Sequence, residues 1–203
     1  EVEDRREIVI LADIETAPIE SRNTTFIRGN PSNTDDLQRA GIMAVSTVIV
    51  LADDANSSND PDDLDARSLL TTLAVESLNH EAYSCVEVVK SENRQHFERT
   101  HANELVVSAE LTGSLLAASA ITHGLTGVVA DLLTHPVGEE FYRVPVPPEL
   151  VGRTARDALV ALKDDADSTL IGIFADGACT VNPPSSRVIA GTERSFEVDT
   201  LLI

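Results

Sequence analysis

The stretch IVILAD, residues 8–13, is a short apolar run that closes on an acid. A continuous apolar run of this length reads as a parallel strand covered on both faces. In nucleotide-binding α/β domains, an acid after the second strand accepts both ribose hydroxyls. Such a strand normally follows a first strand and a glycine-rich turn, but only EVEDRRE precedes it. Asp13 is therefore a candidate ribose ligand in an α/β domain entered after its first strand.

Outward from this strand, strand and helix signals alternate. Thr25–Arg28 is a short strand closed by Gly29-Asn30-Pro31. Asn33 or Thr34 caps a helix over 35–40 that stops at Gly41. TVIVLA, residues 47–52, is the next buried strand. DDANSSNDPDDLD, residues 53–65, holds six aspartates and reads as a solvated loop. Asp63 or Asp65 caps the helix that follows, with Leu69, Leu70, Leu73, Ala74 and Leu78 on its apolar face. Strands at 85–89 and 104–107 flank a short polar helix over 92–101. This order predicts a Rossmann-like, doubly wound parallel sheet with right-handed crossovers.

The pattern changes at Glu110. LTGSLLAASAITHG reads as a helix that is apolar around most of its circumference and stops at Gly124. At the edge of a domain such a helix packs against a second chain. A second short helix spans 125–133. Beyond residue 140, strands at 141–146, 169–174, 178–181 and 193–198 surround one helix, 152–162, with an Asp176-Gly177 hairpin turn. That is a small α+β lobe. The expected division is 1–109, a Rossmann-like lobe; 110–139, a helical crossover; and 140–203, the C-terminal lobe.

Composition narrows the function. The 203 residues carry 34 acids against 15 Lys and Arg, a net charge of −19. Lys90 and Lys163 are the two lysines. A surface this acidic repels phosphate backbones, so a nucleic-acid partner is not expected. No apolar run approaches the ~20 residues that cross a bilayer. Cys85 and Cys179 lie far apart in apolar surroundings and read as buried strand thiols of a reducing compartment. The five histidines show no metal-ligand spacing.

In order, VILAD, RGNP, VIVLADD, DARSLLTTLAVESL, VEVVKSEN, LTGSLLAASAITHGLTGVVADLL, EFYRVPVPPELVGRTARDAL and GIFADGACTVNPPSSRVIAG resemble an RCK domain, a regulator of potassium conductance. Such domains are related to the soluble subunits of Trk-type potassium transporters. The DARSLLTTLA helix and the EFY segment look most like the calcium-linked subgroup with Castor- and Pollux-type cation channels. The resemblance implies a regulatory module on the cytoplasmic side of the membrane, as the soluble part of a channel. It implies pairing through the crossover helix 110–122 and assembly into a higher, octameric gating ring below a pore. It also places the family's first strand and glycine-rich loop before residue 1.

Two ligand chemistries follow. Asp13, Gly29, Asn30 and Asp53 are the candidates for an adenine nucleotide or NAD, at the carboxyl edge where open α/β sheets bind ligands. Asp53, Asp54, Glu87 and Glu92 are the candidates for Ca²⁺, which takes six to eight oxygens. Calcium-gated members of the family carry two ligand glutamates one residue apart on one strand. This chain has Glu87, with Val89 at the second position. The alternatives are an NAD-dependent oxidoreductase and a structural ring subunit that binds nothing. No catalytic residue is expected, because neither GxGxxG nor GxSxG stands in the sequence.

Overall fold

The computed structural model describes residues 7–52, 60–133, 139–191 and 193–200. It divides into two compact units, with the break between Ala117 and Ala118. The N-terminal unit holds parallel strands and the helices that connect them. β1 (Ile8–Ala12) pairs in parallel with β2 (Thr24–Arg28). β3 (Thr47–Val50), β4 (Tyr83–Val88) and β5 (Glu104–Val107) form a second parallel ladder. Between β2 and β3 runs α1 (Thr34–Arg39), and between β3 and β4 runs α2 (Pro61–Leu78). The short α3 (Arg94–Phe97) precedes β5. The expected α/β class with parallel strands is borne out.

Among the described residues no ladder joins β1 to β3. Yet Leu11 of β1 and Val48 of β3 pack on the same core, with Leu37, Ile42 and Val75 at its centre. The doubly wound order 3-2-1-4-5-6 accounts for this. In that order β2 and β1 take the third and second places, and β3, β4 and β5 the fourth to sixth. Ile8 donates its N–H to Asn23 and Gly29 donates to Ala12, so in the parallel pattern Val9 and Leu11 turn their backbone groups away from β2. Tyr83 donates to Ser46, which turns Thr47 and Ile49 away from β4 in the same way.

Local chemistry explains most boundaries. The Asn33 side chain accepts from the N–H groups of Asp35 and Asp36 and starts α1. Gly41, at φ 80°, takes the left-handed turn that ends it. α2 begins inside the stretch expected to be loop. Asp60 is its cap, accepting from Asp62 N–H, and Pro61 takes the first helical position. Its buried face is Leu64, Asp65, Ser68, Thr72 and Val75 rather than the leucine-rich face the sequence suggests. Leu69, Ala74 and Leu78 pack partly on the cores, whereas Leu70 and Leu73 are exposed. The polar helix expected over 92–101 is a 3₁₀ turn, Ser91–Asn93, followed by α3. α3 is anchored by Phe97, which packs with Val50, Val86, Val88 and Val107.

α4 (Ser108–Ile121) follows β5 with no loop between them, and none of its residues is buried. The break between the units falls within it. In the C-terminal unit, α5 (Leu125–Leu133) precedes an antiparallel sheet in the order β6-β9-β7-β8. These strands are β6 (Glu139–Pro145), β7 (Thr169–Ala175), β8 (Ala178–Val181) and β9 (Arg194–Thr200). α6 (Ala155–Ala166) supplies Ala155, Ala158 and Leu162 to a core with Leu170 and Ile173. Asp176 and Gly177 both have positive φ, as the hairpin reading requires. Cys179 is exposed and Cys85 half-buried, so neither is the fully buried thiol expected. Cys179 lies on β8, the edge strand of its sheet.

A capping box starts α6. The Thr154 hydroxyl bonds the Asp157 carboxylate at 2.7 Å, and Asp157 N–H donates back to Thr154. The Thr154 hydroxyl and, after it, the Thr154 backbone N–H donate to the Asp157 carboxylate and hold it below its ordinary value. Its stabilising contribution is present above the unfolded-state pKa and fades as pH falls toward the depressed folded value. Thr154→Ala is expected to move the Asp157 titration upward, measured by NMR. An unchanged titration would show that the hydroxyl is not the cause.

Candidate functional site

Of the residues singled out from the sequence, Asp13, Gly29, Asn30, Glu87 and Glu92 lie at or just after the carboxyl ends of β1, β2 and β4. Asp13 follows β1 and sits 3.6 Å from Arg28 Nε at the end of β2, with both side chains exposed. The pair forms because Ala12 and Arg28 are in register. Gly29 continues the β1–β2 contact through its N–H, and Asn30 N–H donates to Asp36 Oδ2 at 2.9 Å. The Asn30 side chain accepts from the N–H and hydroxyl of Ser32, at 3.0 and 2.8 Å.

Asp36 shapes this turn, although sequence reasoning passed over it. A Cβ on Gly29 would lie 2.8 Å from Asp36 Cγ, so glycine lets the carboxylate close under the turn. Asp36 also pairs with Arg39, which reaches back to the Arg28 carbonyl. The available signal was an acid in the first turn of α1, directly after the RGNP turn.

Asp53 and Asp54 lie outside the described residues. Ala52, just before them, donates its N–H to Glu87 Oε2 at 3.1 Å. The other Glu87 oxygen accepts from Ser108 Oγ at 2.6 Å. Glu87 thus uses both oxygens within the chain. Glu92 is exposed in the 3₁₀ turn after β4. Among the described residues, no group of three His, Cys, Asp or Glu side chains is placed to hold a metal ion.

A second acid that the sequence reading used only as a cap organises the same edge. Asp65 is 2% exposed. It accepts from the N–H groups of Val89 and Lys90, at 2.8 and 3.0 Å, and from the Asn93 amide at 2.9 Å. Beside it, Lys90 Nζ contacts both oxygens of Asp62, at 2.9 and 2.7 Å. The ammonium and the Asn93 amide hold the Asp62 carboxyl below its usual value. Asp62 in turn raises Lys90, with smaller contributions from Glu92 and Asp60. The signal in the sequence was the inward position of Asp65 between Leu64 and Ser68 on an otherwise helical pattern.

Residues 3–86 match the family described as the calcium-activated potassium channel slowpoke-like RCK domain, and the RCK resemblance read from the sequence is borne out. The calcium-gated potassium channel TvoK of Thermoplasma volcanium is 27% identical over 187 residues, 92% of this chain and 53% of TvoK. The putative potassium channel protein YugO of Bacillus subtilis is 26% identical over 176 residues, 87% of this chain and 52% of YugO. The chain thus spans about half the length of these relatives. The human SLO3 gating ring shares the fold, with a TM-score of 0.74 at 18% identity over 96% of this chain and 39% of that chain. No described helix is long and apolar enough to cross a membrane.

Proposed function

We propose that the chain is a ligand-sensing RCK module that regulates potassium or other cation flow through a membrane pore, from the cytoplasmic side. The observation that carries this reading is α4. It is a 14-residue helix, rich in leucine and alanine, that buries no residue. Such a surface calls for a second protomer, and pairing through 110–122 makes a dimer that can build a ring. Ligand at the carboxyl edge favours one arrangement of lobes or subunits. Its differential affinity for the two arrangements sets how far the gate moves.

The division into a nucleotide-type lobe, a crossover and a C-terminal lobe belongs to this reading, with α4 as the connecting element. Two ligands suit the edge. Calcium is favoured by the net charge of −19, by the acids Asp53, Asp54, Glu87 and Glu92, and by the calcium gating named for TvoK. An adenine nucleotide or NAD is favoured by Asp13 at the end of β1, beside Gly29 and Asn30. No observation favours the oxidoreductase alternative.

Titration calorimetry of the chain with Ca²⁺, ADP, ATP and NAD tests the reading. Binding of at least one is expected. Asp13→Asn should abolish a nucleotide response, and Asp53→Asn a calcium response. Silence with all four would favour the structural ring subunit instead.

A further inference from the structure

Glu87 stands where the ligand edge meets the crossover helix, and we propose that it is a positioning residue that couples the two. Its carboxylate holds Ala52 N–H on one oxygen and Ser108 Oγ on the other. Ala52 is the last residue before the acidic stretch DDANSSND, and Ser108 is the first residue of α4. The two points are 56 residues apart in sequence, and one side chain from β4 spans them.

Three features make this a link rather than an ordinary surface contact. Alternation along β4 turns Glu87 to the face opposite Val86 and Val88, which fill the core. The carboxylate can therefore move without disturbing that core. Val107 is buried and Ser108 follows it directly, so the helix starts on the last residue of a packed strand. Beyond that point α4 has little to hold it. None of its residues is buried, and the ion pair between Arg94 Nη1 and Glu110 Oε2 is long, at 3.7 Å, with both side chains half exposed. The Ser108–Glu87 bond is short and charge-assisted, so it is the stronger restraint on the first turn.

The consequence is reciprocal. A change at the exit of β3 that draws Glu87 away loosens the start of α4. A displacement of α4 removes the Ser108 anchor of Glu87 and loosens its hold on Ala52 in return. Coupling between sites must run both ways. The use of this link in gating rests on the function proposed above, but the link itself is a property of the chain.

Amide hydrogen exchange of the chain, followed by NMR, tests it. Thr112 and Gly113 carry the first amides that bond within α4. Ser108→Ala is expected to speed exchange at Thr112 and Gly113, and also at Ala52, by about threefold to tenfold. Val86 and Val88 should keep their rates. Glu87→Ala should free both ends by about tenfold or more, while Glu87→Gln, which retains one acceptor and gains one donor, should stay near wild type. An unchanged Ala52 in Ser108→Ala would overturn the inference, because the two bonds would then be independent. Equal acceleration at Val86 and Val88 would overturn it too, as a general loss of stability. Coupling without any ligand response would leave this inference standing and remove the gating reading.

Discussion

Leu116→Asp is expected to weaken self-association of the chain by about 100-fold or more. Leu116 is 67% exposed and Ile121 is 85% exposed on α4. From Leu111 to Ile121 the helix carries no charged side chain, on a chain whose net charge is −19. Burying one leucine is worth about 1.5–3 kcal/mol, and a two-fold interface counts each position twice. Aspartate removes that gain and adds the cost of desolvating a carboxylate. Sedimentation equilibrium of wild type and variant reads the change directly. A wild-type chain that stays monomeric at high micromolar concentration, or a variant that dimerises as well as wild type, would end the case for pairing through 110–122.

Asp65→Ala should cost roughly 3 kcal/mol of stability in the N-terminal unit. The carboxylate is buried and satisfies two backbone N–H groups and the Asn93 amide at once. Removing it leaves those donors short of a partner where little water can replace it. That is a large part of the ~5–15 kcal/mol by which a domain is stable. Asp65→Asn keeps one acceptor oxygen and should lose less. Urea unfolding measures both variants. A loss below about 1 kcal/mol for Asp65→Ala would mean that water or a rearranged turn takes over the role.

Much of this architecture could be read from residue order alone. The apolar runs at 8–12 and 47–50 are strands, and Asn33, Gly41 and Asp176-Gly177 act as the cap, the stop and the turn their chemistry suggests. What escaped the reading was polar residues doing interior work. α2 turns Asp65, Ser68 and Thr72 inward. Asp65 meets the backbone N–H groups after β4, whereas Thr72 bonds back within the helix, to the Ser68 carbonyl at 2.8 Å. A pattern based on leucines alone picks the wrong face. The division of the parallel strands into two ladders also escaped, since spacing along a chain does not reveal which strands are neighbours. At the edge, residue type suggested ligands, whereas the role of each acid depends on its donors. Asp36 closes a turn and Glu87 bridges two segments; neither role is visible in composition.

The edges of the two ladders bear on how this chain behaves in concentrated solution. Among the described residues no strand pairs with the sides of β1 and β3 that face away from β2 and β4, and Ile8, Val9, Ile49 and Leu51 there are exposed. Such borders are templates for pairing with foreign strands, and proteins commonly guard them with charge. β1 and β3 carry no charged residue themselves. Repulsion from the chain's net charge of −19 acts on approaching strands over about 10 Å at 0.1 M salt and only about 3 Å at 1 M. Acidity here is thus a colloidal safeguard as well as a lure for cations, and its strength is set by the surrounding electrolyte.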